Sequence, residues 1–291
     1  MYAKDFEYDG QLLSDYGLIL CNFDSNKGLE TVSSGADISF NQFSPSGGNH
    51  FLIGSSTYDS AYTATFQICR NPCLVSSQDE MTISTEEISA IQRWLCRKKY
   101  CKFKIIQNDY EDLYWNVVFS TKQIELEGEV IGFELTLLTD ADYGYLEDVS
   151  VEYNCLADTP FYFYDISDEE GYINPNLEIT FLEDGKDEFD NDVLIKSKVF
   201  KLQHCEEDLL DNRITEIKKC SSGEKIIIDG KNQIISTSFS EHKLSDNFNY
   251  MFPRLHSIYN GLLDNGTKNM FITNIDCKIK LSYSPIRKIG L

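Results

Sequence analysis

Ser84-Thr-Glu-Glu-Ile-Ser-Ala-Ile-Gln-Arg-Trp-Leu-Cys-Arg-Lys-Lys-Tyr-Cys-Lys-Phe-Lys-Ile-Ile106 is the clearest helix signal in a chain that otherwise reads as strands and turns. Ser84 followed by Glu87 is a capping box, in which the hydroxyl takes an orphan amide proton and the glutamate reaches back. Glu86 and Glu87 sit at the positive end of the helix dipole, and Arg97, Lys98 and Lys99 are expected to close the last turn at its negative end. Ile88, Ile91, Trp94 and Leu95 fall at i, i+3, i+6 and i+7, which makes one face apolar. Gln92, Arg93 and Arg97 belong to the outer face. The run ending Phe103-Lys-Ile-Ile106 then reads as a strand. An amphipathic helix with a Trp on its inner face is expected to cover the open side of a β-structure.

Around this helix the signals are extended. Ala61-Tyr-Thr-Ala-Thr-Phe-Gln-Ile68 alternates before it. After it, Leu113–Phe119, Gln123–Glu127 and Val130–Leu138 read as a meander. Residues 26–60 are rich in Ser, Gly and Asn, which is the chemistry of a loop or a projecting arm. The turn-rich Thr139–Tyr145 places a domain boundary, giving domains 1–142 and 143–291. Beyond it no helix is expected. Val149–Tyr153, Leu177–Leu182, Val193–Leu202 and Arg213–Ile217 are candidate strands, and Cys277–Tyr283 alternates once more. Lys225–Ile235 signals a hairpin around Asp229-Gly230. Many short strands at this spacing imply sandwiches or barrels.

The chain has 291 residues, 42 % of them hydrophobic, enough for one large or two ordinary cores. No run approaches the roughly 18 apolar residues that would span a bilayer, so no membrane insertion is expected. The opening Met-Tyr-Ala-Lys-Asp-Phe-Glu lacks the apolar centre of a signal peptide, which points to cytosolic synthesis. Nine scattered cysteines then read as free thiols. The net charge is −21, and it is spread evenly. Residues 1–140 hold 10 basic and 20 acidic side chains, and the rest hold 16 and 27. Such a surface repels phosphate backbones, which argues against sequence-specific nucleic-acid binding and against anionic membranes.

Catalytic patterns are missing. His50, His204, His242 and His256 sit in no metal-binding or nucleophile-activating arrangement. Gly261–Lys268 has Thr-Lys where a phosphate-binding loop needs Lys-Ser/Thr. Cys69, Cys73, Cys96 and Cys101 do not have zinc-knuckle spacing and read as buried thiols. The acidic 183–192 stretch lacks calcium-loop ligand order and reads as a solvated loop. Phe161-Tyr-Phe-Tyr164 reads as a strand packed on both faces, with sugar stacking as the other reading. No catalytic residue, metal or cofactor is expected.

Three features together resemble the distal tail protein (Dit) family of long-tailed phages and prophages of Gram-positive bacteria. They are the opening Phe6-x-Tyr-Asp-Gly10 with Ser14-Asp-Tyr-Gly-Leu-x-Leu-x-x-Phe-Asp24, the helix Ile91-x-Arg-Trp-Leu-Cys96 with its basic turn and Tyr100, and the ending Lys278-Ile-Lys-Leu-Ser-Tyr-Ser-Pro-Ile-Arg-Lys288. The resemblance implies a mainly β chain, with a β-sandwich-like belt domain carrying one α-helix and then a galectin-like β-sandwich. It implies a non-enzymatic hub of the tail tip or baseplate, assembled in the host cytoplasm and carried in the virion. Six copies would form a ring joining the tail tube protein to the tail-associated lysin or fibre protein, with receptor-binding proteins on the outer domains. Ile88, Ile91, Trp94 and Leu95 would pin the helix, while Gln92, Arg93 and Arg97 would approach a neighbouring subunit. An anionic ring lumen would let DNA pass without sticking. One departure stands out. After Asn249-Tyr-Met-Phe-Pro-Arg-Leu255 the family has a short turn, whereas here residues 256–269 intervene as an extended loop. The alternative reading is a carbohydrate-binding adhesin or accessory baseplate protein using the second sandwich.

Overall fold

The computed structural model describes residues 4–23, 38–44, 46, 52–77, 79–205, 213–258 and 266–289. Residues 26–37, 45 and 47–51 of the arm, 259–265 of the later loop and Asp24 of the opening motif lie outside them. The chain divides into two compact units, Met1–Glu147 with Arg287–Leu291, and Asp148–Ile286.

In the first unit one continuous antiparallel sheet carries the strands in the order Gln11–Leu12, Asp5–Tyr8, Cys101–Ile106, Leu113–Leu126, Glu129–Thr139, Thr63–Arg70, Leu18–Cys21. The expected three-strand meander is in fact one long hairpin. Leu113–Leu126 is a single 14-residue strand, turned at Glu127 and Gly128 (φ +53° and +89°) into Glu129–Thr139. The sandwich-like character comes from this one sheet folding over itself. Phe6 and Phe66 lie four strand steps apart, about 19 Å in a flat sheet, yet their ring centroids are 5.7 Å apart. Phe119 touches both, at 6.1 Å from each. The alternation that puts Phe6 and Tyr8, Phe103 and Ile105, Trp115 and Val117, and Leu135 and Leu137 on one face therefore fills a closed interior.

The helix spans Thr85–Leu95 and covers the remaining opening. Glu87 Oε2 accepts from the Ser84 amide at 2.9 Å and from Arg70 of the neighbouring strand at 2.7 Å, so the capping box is also bolted to the sheet. Arg97, Lys98 and Lys99 lie past the helix end, because Cys96 leaves helical geometry (φ −82°, ψ 75°). Arg97 instead reaches back, its Nε donating to the Trp94 carbonyl at 3.1 Å while its guanidinium pairs with Asp9 at 3.4 Å.

The second unit is built from two antiparallel five-stranded sheets. One runs Val149–Cys155, Cys277–Tyr283, Asn176–Phe181, Lys225–Asp229, Ile234–Thr237; the other runs Pro160–Asp165, Thr267–Thr273, Val193–Cys205, Lys186–Asp190, with Arg213–Ile217 beside Val193–Cys205. Ile179, Ile226, Ile279 and Leu281 from the first share a core with Phe163, Phe200 and Phe271 from the second, which makes a β-sandwich. In the hairpin at Asp229-Gly230 the glycine is required by space, since a Cβ there would meet the Pro175 carbonyl at 2.2 Å. A single helical turn at Leu244–Asn247 was not expected. Four residues are too few to show a 3.6 period. Asn247 Nδ2 donates to the Lys243 carbonyl at 2.7 Å and helps hold it.

Truncating Trp94 to Ala should cost the first unit about 3–5 kcal/mol, as for other buried aromatic truncations, and is read by urea denaturation. His204 is buried and stacked 4.5 Å from Phe271. Burial pushes its imidazole down to about 4. Below about pH 6.5 the unfolded chain therefore takes up a proton that the fold refuses, and stability falls as pH drops through this range. We expect a loss of about 2 kcal/mol between pH 7 and pH 5, and a clearly shallower slope in His204→Leu.

Candidate functional site

Among the described residues, the features that stand out are surfaces exposed for contact, and they form the candidate site. Among the described residues no group of three or more His, Cys, Asp or Glu is placed to hold a metal ion. Cys69 and Cys101 are buried, Cys73 and Cys96 are exposed, and all nine cysteines are free thiols.

Each of the helix residues singled out in the sequence has a clear place. Ile91, Trp94 and Leu95 are buried, and Ile88 is half-buried against the same cluster. Trp94 lies between Tyr16, 4.4 Å away with rings at 12°, and Phe6, 5.8 Å away at 9°. Its indole N–H donates to the Tyr8 carbonyl at 2.9 Å. Gln92, Arg93 and Arg97 are exposed. Arg97 is committed to Asp9 and the Trp94 carbonyl, which leaves Gln92 and Arg93 as the outward-facing pair.

The most pronounced surface lies elsewhere, in the part of 26–60 that the structure describes. Ile38–Phe43 and Leu52–Tyr58 form a two-stranded hairpin that, among the described residues, pairs with no third strand. It carries Ile38, Phe40, Phe43, Leu52 and Ile53 into solvent, with Phe40 53 % and Ile53 60 % exposed. A lone two-stranded ribbon has no face buried against a third element and is marginal by itself in water. A contiguous run of exposed aromatic and branched side chains marks an interaction surface. The Ser, Gly and Asn content of this stretch indicated a loop or projecting arm, but not that its apolar residues would remain uncovered.

A second hairpin replaces the expected solvated loop at 183–192. Lys186–Asp190 pairs with the start of Val193–Cys205. The two turn residues, Asn191 and Asp192, both have positive φ, 46° and 66°. That is the conformation a tight two-residue hairpin needs, and Asn and Asp tolerate it. This Asn-Asp signal was legible and was missed among the acidic residues. Two of the acids in this stretch, Asp184 and Glu188, are engaged by lysines. Glu188 pairs with Lys201 and, at 3.5 Å, with Lys196, while Lys196 also reaches Glu216 at 2.7 Å. The hydrogen bond from Lys201 leads in holding the Glu188 carboxyl below its ordinary range. Phe189, Val193, Leu194 and Ile195 are left exposed at the tip.

Phe161–Tyr164 is packed on one face, not both. Phe163 is buried and Phe161 half-buried, whereas Tyr162 and Tyr164 point outward, because in a two-sheet sandwich only one face of each strand meets the opposing sheet. Lys268 Nζ sits 4.2 Å over the Tyr162 ring. Arg254 sits 3.5 Å over Tyr172.

Residues 1–141 match the family described as phage tail protein N-terminal domain, and residues 143–283 match the phage tail C-terminal domain. No curated protein matches the sequence. Among solved structures, the Dit protein of phage SPP1, described as a paradigm of the hub adsorption apparatus in phages infecting Gram-positive bacteria, is similar over 96 % of this chain and 98 % of its own. The TM-score is 0.63 at 9 % identity. A chain of the phage P2 baseplate, in its activated conformation with Ca, is similar over 100 % of both chains, with TM-score 0.50 and 9 % identity. At such identity the likeness speaks for fold, and the fold is that of a distal tail protein. The two matched domains between them cover nearly all of residues 1–283, and the chain belongs to the phage tail proteins.

Proposed function

We propose that this protein is a structural hub of a phage tail tip, in which copies of the first unit form a hexameric ring between the tail tube protein and the tail-associated lysin or fibre protein. Residues 1–142 act as the belt domain. Residues 143–291 act as a galectin-like outer domain that meets receptor-binding or other baseplate proteins. The observation that carries this reading is the solvent-exposed apolar hairpin of Ile38–Phe43 and Leu52–Tyr58, in a chain of the tail family with a distal-tail fold. A hairpin that, among the described residues, pairs with no third strand suits a ring, where a neighbouring copy covers its apolar face. Gln92 and Arg93 extend the subunit interface on the helix. The protein is a scaffold rather than an enzyme, assembles in the host cytoplasm and acts in the virion.

The acidic composition fits a ring that passes DNA, because an anionic lumen does not hold phosphates. A lumen lined mainly by Lys and Arg in a structure of the assembled ring would remove this part of the reading. The rival reading, a carbohydrate-binding adhesin or accessory baseplate protein, has Tyr162 and Tyr164 in its favour. Lys268 already lies over one of those rings.

Light scattering on the eluting protein should give the mass of a hexamer, alone or once the tail tube protein is added. Phe40→Ser combined with Ile53→Ser should leave the stability of the isolated chain within about 0.5 kcal/mol, as for other surface changes, and abolish the hexamer. A persistent monomer that binds cell-wall saccharide would instead support the adhesin.

A further inference from the structure

Two of the free cysteines face each other across a pair of strands. Cys155 ends the Val149–Cys155 strand and stands directly opposite Cys277, which begins Cys277–Tyr283. Both side chains point into the sandwich core, at 4 % and 0 % exposure. Directly opposed Cβ atoms lie about 4.5–5.5 Å apart, closer in non-hydrogen-bonded pairs. A disulfide needs about 3.5–4.5 Å, so a small approach of an edge strand suffices. Val149–Cys155 is such an edge strand, and the next residue, Leu156, is 61 % exposed. Fraying at this end opens the pair to a small reagent without unfolding the core.

A second thiol pair gives an internal contrast. Cys21 and Cys69 also lie on paired strands, but they are offset by two residues. Cys21 is opposite Gln67 and Cys69 is opposite Ile19. Diagonal neighbours lie about 7–8 Å apart, at or past the roughly 7 Å beyond which two cysteines cannot be bridged without moving the backbone.

We propose that Cys155 and Cys277 are an oxidation site, closed to a disulfide by small-molecule disulfides, and that Cys21 and Cys69 are not. One protein thiol loses its proton and attacks the reagent disulfide, expelling one reagent thiolate. The second protein thiol then attacks the mixed disulfide and expels the other. Two protein thiols are oxidised, the reagent is reduced to two thiols, and both protons end on them. Because the thiolate is the attacking form, ionisation and geometry favour different pairs. The neighbouring Cys277 side chain, followed by burial, raises the Cys155 thiol, while the neighbouring Cys21 side chain lowers Cys69. Acidity alone would select Cys69. The register selects Cys155 and Cys277. The closed bond would tie together the two ends of nearly the whole second unit, Asp148–Ile286, and restrict its unfolded chain. In a tail part that leaves a reducing cell for oxidising medium, this would be a lock acquired on release. That last consequence rests on the hub reading, and the chemistry does not.

The test is to hold the folded full-length protein with glutathione disulfide at about pH 8, near the ordinary thiol pKa, alkylate the remaining thiols, and map the linked peptides by mass spectrometry. We expect a mass loss of two hydrogens, a peptide pair joined through Cys155 and Cys277, and a higher midpoint of thermal unfolding that reductant reverses. Cys155→Ala and Cys277→Ala should each remove the linked peptides, and Cys21→Ala should keep them. A Cys21–Cys69 link, or a glutathione adduct on Cys69 with Cys155 and Cys277 still reduced, overturns the proposal. A Cys155–Cys277 link with an unchanged midpoint overturns the lock. Should a variant fail to fold, the map of the unaltered protein still decides. A chain that never forms a hexamer leaves this result untouched.

Discussion

The first unit depends on one hydrogen bond, from the Trp94 indole to the carbonyl of Tyr8. A buried indole N–H needs an acceptor, or the burial of its ring is opposed by the cost of a lost hydrogen bond. Here the acceptor is backbone, on a strand that the chain laid down 86 residues earlier. The bond can form only after the sheet has curled and brought the Asp5–Tyr8 strand beneath the helix. Once made, it places Trp94 between Phe6 and Tyr16 and seals the opening left by the fold of the sheet. The capping box and the Arg70–Glu87 pair set one end of the helix, and Arg97 with Asp9 sets the other. The helix is thus fastened at both ends and in the middle.

The two exposed hairpins divide the labour of the surface. In the first unit the Ile38–Phe43 and Leu52–Tyr58 ribbon offers apolar side chains with little charge among them. In the second, the Lys186–Asp190 hairpin has an apolar tip on a base held by Lys196, Lys201, Glu188 and Glu216. Side-chain exposure at this base is only 13–31 %, so these pairs are less screened than ordinary surface salt bridges. A charged base that resists fraying under an apolar tip keeps that tip projected. A net charge of −21 offsets the tendency of such tips to aggregate.

Local signals were legible in the sequence. The capping box, the apolar stripe of Ile88, Ile91, Trp94 and Leu95, the Asp229-Gly230 hairpin and most strands rest on contacts between near neighbours, whose spacing a sequence displays directly. Errors arose where a neighbour in space mattered. Phe161–Tyr164 looked packed on both faces, but only its inner face meets the opposing sheet. The acidic 183–192 stretch looked solvated, because its composition outweighed the two turn residues that fold it back. Arg97 looked like part of the last helical turn, but Cys96 ends the helix before it.

The sequence by itself determined a mainly β chain with one substantial helix, free thiols and an acidic surface. Each of these follows from local periodicity, from residue counts or from the order of short motifs. Tertiary structure alone decided that a single sheet would fold over itself, that the ribbon of Phe40 and Ile53 would stay uncovered, and that Cys155 would stand opposite Cys277. Those outcomes depend on register and closure between segments far apart in the chain. A strand's pattern says which side chains share a face, but the partner strand that finally pairs with it says what that face will meet.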